Sequence, residues 1–271
     1  MVLLLACVGK EPVVSDSAED SAVGTPAPAN TVLVIDASLS MQEEVSALVV
    51  ALQDHERQQD HQWAVMTVDG DKAGEFMREP STDPGEALLA VACDAACWDA
   101  SSLPSDPDYE CGQPAEVVSP QFLDCACALD DWEGHCGSGD EEPLEAIYGA
   151  LCRATDGCDE FTPQTGLLGV GVETRFAILT DEGDGSRRLE TGVDSAGAYL
   201  DLYDATGQPY SISAMAPDVT EAGIDCNEGG ATTWGVGRLE HAASASGGSF
   251  EPITDEDCGV GDVAGFLAGL M

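Results

Sequence analysis

The sequence predicts an α/β protein: a doubly wound, mostly parallel central sheet flanked by helices. Three observations predict it. Short apolar, β-branched runs recur along the chain, stretches with helical period stand between them, and two of the apolar runs end in aspartate. Parallel strands are covered on both faces and so read as continuous hydrophobic runs, and their alternation with helices is the signature of βαβ units.

The first strand is Thr31-Val32-Leu33-Val34-Ile35, closed by Asp36. Met41, Val45, Leu48, Val49 and Leu52 follow at i, i+4, i+7, i+8 and i+11, one face of an amphipathic helix. A second strand is expected at Trp63–Val68. The stretch 94–137 breaks the rhythm with Cys97, Cys111, Cys125, Cys127 and Cys136 and with Pro104, Pro107, Pro114 and Pro120, and is expected to be a disulfide-rich insertion. Regularity resumes at Asp140-Glu141-Glu142-Pro143, an N-cap candidate with acids and proline in the first turn, before a helix whose apolar face is Leu144, Ile147, Tyr148 and Leu151. Next come a strand at Arg175–Thr180 ending in Asp181, and another at Tyr210–Met215. A helix around Arg238–Ser246, a short strand near Ser249–Ile253 and a last helix with the stripe Val263, Phe266, Leu267, Leu270 close the domain, expected over 31–271.

Composition narrows the function. With 271 residues, 44% of them hydrophobic, the chain can bury one large core. Fifty-one acidic residues against 9 basic ones give a formal charge of −42, and only Lys10 and Lys72 are lysines. Nucleic acid is excluded as a partner, because phosphate binding needs Lys/Arg clusters. Most of the carboxylates are expected to be a solvated surface, with divalent-cation binding as the specific alternative.

Eleven cysteines point to a disulfide framework in an exported protein. Met1-Val2-Leu3-Leu4-Leu5-Ala6-Cys7 resembles the lipobox of bacterial lipoproteins, which implies that Cys7 carries lipid and leaves ten cysteines for pairing. Residues 1–7 are then a truncated signal: only six residues precede Cys7 and none is basic, so a full export signal would begin upstream of Met1. Residues 8–30, rich in Ser, Ala, Pro, Asp and Glu, are expected to be a flexible tether. Membrane contact would come through this lipid alone, placing the protein on the cell envelope (outer membrane or periplasm-facing) or outside the cell. Val8, where an Asp would retain the protein at the inner membrane, points to the outer membrane of a Gram-negative cell. Cys152 with Cys158 and Cys226 with Cys258 are candidate pairs, although spacing does not determine connectivity. Cys93, Cys97, Cys125, Cys127, His135 and Cys136 raise a zinc alternative, which export disfavours.

In an open parallel sheet, ligands bind beyond the carboxyl ends of the strands at the switch point. Asp36-Ala37-Ser38-Leu39-Ser40, at the end of an apolar strand, resembles the Asp-x-Ser-x-Ser motif of von Willebrand factor type A domains, and Asp181 resembles the strand-terminal aspartate of their third metal loop. The resemblance covers about residues 31–255. It extends, through Gly137–Ala146 and Phe176–Ser186, to myxobacterial-type lipoproteins that carry one such domain. It implies a metal-ion-dependent adhesion site in which Asp36, Ser38, Ser40 and Asp181 hold Mg²⁺ (or Mn²⁺ or Ca²⁺) directly or through water. An open position on the metal would accept a carboxylate from a partner protein. Hydroxyls with few carboxylates suit a hard cation that keeps its waters. The family's middle-loop threonine has no counterpart here. Ser138 is the candidate by spacing, with Asp140 or Glu141 as alternatives that would add negative charge and favour Ca²⁺.

The expected function is therefore a divalent-metal-dependent protein-binding or adhesion module. The alternative is a calcium-stabilised structural envelope protein with no metal-mediated ligand. Apart from either function, Asp36 and Ser38 are also placed to cap the first helix, whose N-cap geometry a metal loop shares. No enzyme is expected: Ser38 stands where a haloacid-dehalogenase-like phosphatase needs a second acid, no lysine follows Lys72, and neither a Gly-x-Ser-x-Gly nor a Walker-type segment is present. The run Asp181–Ser186 is expected to form the acidic rim of the site, with an additional Ca²⁺ as the alternative. His55, His61, His135 and His241 show no ligand spacing and are expected at the surface.

Overall fold

A computed structural model describes residues 29–36, 41–53, 61–68, 74–77, 80–82, 87, 141–155, 158, 172–188, 190–218, 235, 237–254 and 260–270. Five strands, β1 (Ala29–Ile35), β2 (Gln62–Thr67), β3 (Glu173–Leu179), β4 (Tyr210–Ala216) and β5 (Phe250–Pro252), form one sheet in the order β2-β1-β3-β4-β5. Every pairing between them is parallel. Beyond β2 the chain returns antiparallel: Met77 donates to the Val65 carbonyl at 2.8 Å, and Trp63 and Ser81 exchange both backbone bonds. The helices are α1 (Gln42–Gln53), α2 (Pro143–Ala154), α3 (Ala196–Thr206), α4 (Arg238–Ser246) and α5 (Val263–Gly269). This is the doubly wound α/β architecture that the alternation of patterns predicts.

The pleat sorts the core into two layers, because neighbouring side chains on a strand point to opposite faces. Leu33, Ile35, Ala177 and Leu179 pack with Met41, Val45, Leu48, Val49 and Leu52 of the α1 region and with Val263, Phe266, Leu267 and Leu270 of the α5 region. Val32, Val34, Phe176 and Ile178 pack on the other face against α2, α3 and α4. All four stripe residues of the last helix are buried, as are the five of the first.

Several expectations are corrected. Ala29 and Asn30, assigned to the tether by composition, belong to β1, with Asn30 opposite Gln62 and Thr174. Helix α3 was not singled out by the sequence. Its apolar stripe is narrow, Ala196, Tyr199 and Tyr203, although Ser195 caps it and Gly207 ends it in the left-handed conformation at φ 72°. His61 is not a surface residue: it is 6% exposed, bonded to the Thr31 hydroxyl at 2.9 Å and stacked at an angle on Trp63. His241 is exposed, as expected, and His55 and His135 lie outside the described residues. Cys152 and Cys158 are bridged at the carboxyl end of α2. The tether up to residue 28, the insertion 94–137 and the pair Cys226–Cys258 lie outside or partly outside the described residues. Among the described residues no helix is long and apolar enough to cross a membrane.

Candidate functional site

The strand order reverses between β1 and β3, so the switch point lies at their carboxyl ends, where Asp36 and Thr180-Asp181 stand. The ladder extends one step past β1, the Asp36 amide donating to the Leu179 carbonyl at 2.9 Å. Asp36 is 1% exposed, and its Oδ2 accepts the Thr180 hydroxyl at 2.8 Å. The Glu182 amide donates to that same hydroxyl at 3.1 Å. Thr180 therefore fixes the Asp36 carboxylate and the turn that carries Asp181 and Glu182. A charged acceptor in a buried site makes such a hydrogen bond stronger than a neutral one.

On the other side of β1, the end of β2 brings in a second acidic arm. Val68 donates to the Ile35 carbonyl and accepts from the Glu142 amide at 2.8 Å, while the Gly185 amide donates to the Glu141 carbonyl at 2.7 Å. Glu141 is thus tied both to the strand end and to the loop after β3, and it is 6% exposed. Its acidity falls, with the pKa pushed up to about 8, chiefly by burial and then by the negative charge of Asp36, with the charge and hydrogen bond of Glu182 adding to the shift. Glu141 therefore senses carboxylates from two other segments at the switch point.

Asp36 and Asp181 are the predicted site residues that the structure describes, and both stand at this edge, Asp181 half-buried. Ser38, Ser40, Ser138 and Cys7 lie outside the described residues, as does Asp140. Of the three middle-loop candidates, Glu141 is the one described. Among the described residues no three carboxylate, imidazole or thiol groups converge on one point to form a cage.

Of the acidic rim expected over Asp181–Ser186, Asp181 and Glu182 stand half-buried at the edge, whereas Asp184 turns inward. Asp184 is fully buried and faces Arg238, the first residue of α4, with Nε to Oδ2 at 3.2 Å. Arg238 Nη1 also donates to the carbonyls of Asp184 and Ser186, at 3.2 and 2.9 Å. Asp184 Oδ1 accepts from the Leu144 amide at 3.2 Å and from the Ser186 hydroxyl, whose oxygen in turn accepts from the Glu145 amide at 2.9 Å. The first turn of α2 is therefore capped from a distant loop. The cap position, Glu142, makes no side-chain cap bond, which corrects the local N-cap expected at Asp140–Glu142. Burial raises the pKa of Asp184, while Arg238 and the bonds from Ser186 and Leu144 oppose the shift. Gly235 presses on this knot at φ +82°, where a Cβ would lie 2.2 Å from the Asp184 carbonyl oxygen. Thr180 and Arg238 are not singled out by the sequence, whereas Glu182 belongs to the run expected at the rim. For Arg238 a signal existed: a cation in the first turn of a helix opposes the macrodipole, so it is expected to serve a contact elsewhere.

No family model matches this chain, and no curated protein matches it in sequence.

Proposed function

We propose that the carboxyl edge of β1 and β3 is a divalent-cation site of the von Willebrand A type, through which an envelope-anchored protein binds a partner protein. The observation that carries this reading is the link Asp36–Thr180–Glu182, which joins the two strand-terminal acidic segments across the switch point. Asp36 and Asp181 would hold the cation, with the hydroxyls of Ser38, Ser40 and Ser138 completing the set. The cation would supply an electrophilic centre for a carboxylate of the partner. Thr180 orients Asp36, and the burial of Asp36 keeps water from weakening that contact. A lipid on Cys7 would supply the anchor, and the Cys152–Cys158 bridge fits an oxidising compartment outside the cytoplasm. No residue is assigned a catalytic role.

Titration calorimetry of the full chain with Mg²⁺, Mn²⁺ and Ca²⁺ tests the reading. Asp36→Ala is expected to abolish binding, and an isotherm unchanged from the wild type would overturn the site. Glu141 favours a second reading, the calcium-stabilised structural protein, because a third carboxyl beside Asp36 suits Ca²⁺ and repels an incoming carboxylate. Water relaxation by bound Mn²⁺ separates the two. Acetate that displaces a metal-bound water supports the adhesive reading, whereas a signal blind to acetate supports the structural one.

A further inference from the structure

Strand β2 lies at the edge of the sheet, and the returning chain covers its outward backbone groups. Trp63 and Ser81 exchange amide-to-carbonyl bonds at 2.7 and 2.9 Å, and the Met77 amide donates to the Val65 carbonyl at 2.8 Å. Without this strap β2 would present unpaired donors and acceptors, the template on which another strand adds. The strap straddles the core, Met77 packing with one layer and Phe76 with the other. It is fastened along α2. Gly74, at φ +73°, lies so close that a Cβ would stand 2.1 Å from the Ala150 nitrogen and 2.4 Å from the Ala146 carbonyl oxygen. Arg153 Nη2 donates to Glu75 Oε1 at 3.2 Å. Next to Arg153, the buried Cys152 is bridged to the half-buried Cys158 beyond the end of the helix. The Thr155 amide and hydroxyl both turn back to the Cys152 carbonyl, so the bridge is the covalent tie on this last turn.

We propose that the Cys152–Cys158 bridge is a redox latch on the strap over β2. Cleaved by a dithiol, it frees the last turn of α2 and loosens the fastening of Gly74 and Glu75, so that the edge of the sheet opens. A thiolate of the dithiol attacks Sγ of Cys158, the less buried of the two, and Cys152 leaves as a thiolate that takes up a proton. The second thiol then resolves the mixed disulfide, so the dithiol ends oxidised and both cysteines end as thiols. With a sequence separation of 6, the bridge closes too short a loop to constrain much of the unfolded chain. Its loss therefore acts on local opening more than on global stability. The inference is independent of the cation site.

The test follows amide hydrogen exchange of the full chain during a dithiol titration, while alkylation and peptide mass spectrometry report which cysteines are reduced. Once Cys152 and Cys158 are thiols, exchange at Trp63, Met77 and Ser81 is expected to quicken by roughly tenfold, with the central β1–β3 ladder still protected. Because the chain holds other cysteines, Cys152→Ala combined with Cys158→Ala carries the same expectation without reductant, and its strap amides should be insensitive to dithiol. Arg153→Gln keeps the bridge and loosens only the fastening, so it provides the reading where the double variant fails to fold, with the same three amides quickened. Strap amides that hold their oxidised rates after reduction, or in Arg153→Gln, would overturn the latch. So would a quickening spread equally over the β1–β3 ladder, which marks loss of the whole fold, or a bridge that resists dithiol until the protein unfolds.

Discussion

Two buried aspartates at the same edge of the sheet, Asp36 and Asp184, differ in what surrounds their charge. Asp184 faces a guanidinium and accepts from an amide and a hydroxyl, which oppose the cost of its burial and build it into the frame. Asp36 is oriented by a hydroxyl and stands among acids; burial first, and then the Asp36 charge, make Glu141 hard to ionise. Equal burial thus yields two roles. A paired charge holds helices and loops together, whereas clustered like charges raise the energy of the folded chain and suit a cation from solution.

The largest effect is expected where the paired aspartate is broken. Asp184→Ala leaves Arg238 buried without its carboxylate, and removal of one partner from such a pair costs about 3–5 kcal/mol. Urea unfolding should show the extrapolated unfolding free energy falling by that amount, through a lower midpoint at an unchanged slope. A midpoint within experimental error of the wild type would erase the contrast between the two aspartates.

A smaller effect with a defined sign comes from the crowded group. Glu141 has its folded pKa raised from 4.5 to about 8, so between those values the native state holds a proton that the unfolded chain has released. The Glu141 contribution to the stability of the cation-free protein is therefore full below about pH 4.5 and is lost as pH rises towards 8. Asp184 acts in the same direction from 3.8 upward, so Glu141→Gln is the comparison that isolates this part. Denaturation midpoints at pH 5 and pH 8 in EDTA should converge in that variant. Equal slopes in wild type and variant would remove Glu141 from the crowded set.

The smallest effect sharpens the boundary between frame and site. The Tyr203 hydroxyl donates to the Leu144 carbonyl at 2.6 Å from the far side of α2. Tyr203→Phe should cost about 1 kcal/mol, as for an ordinary buried hydrogen bond. Its calorimetric titration with Mg²⁺ should remain that of the wild type, because Asp36 and Asp181 are untouched. A changed isotherm would extend the site into α3.

Legibility followed the range of the forces involved. Val32–Ile35 and the α1 stripe from Met41 to Leu52 are written locally, since pleat and helical turn repeat within a few residues. Asp36 and Asp181 were legible because strand ends meet at a switch point in any sheet of this kind. Helix α3 was passed over because its buried stripe is two tyrosines and an alanine among acids, too weak a period to stand out. His61 was misplaced because its burial depends on Thr31 and Trp63, partners brought together by strand pairing.

What the sequence determined by itself was the class of fold, the two layers of its core and the two strands that end in aspartate at the switch point. These rest on periodicity and on the pairing rules of parallel strands. What only the tertiary structure decided was the use of each acid. Asp181–Ser186 reads as one acidic run, yet packing splits it into Asp181 and Glu182 at the site and Asp184 locked beneath Arg238. The physical reason is that a carboxylate's role depends on which charge and which amides lie within a few ångströms of it. For Asp184 those partners come from residues 144, 186 and 238, a set that no local pattern brings together.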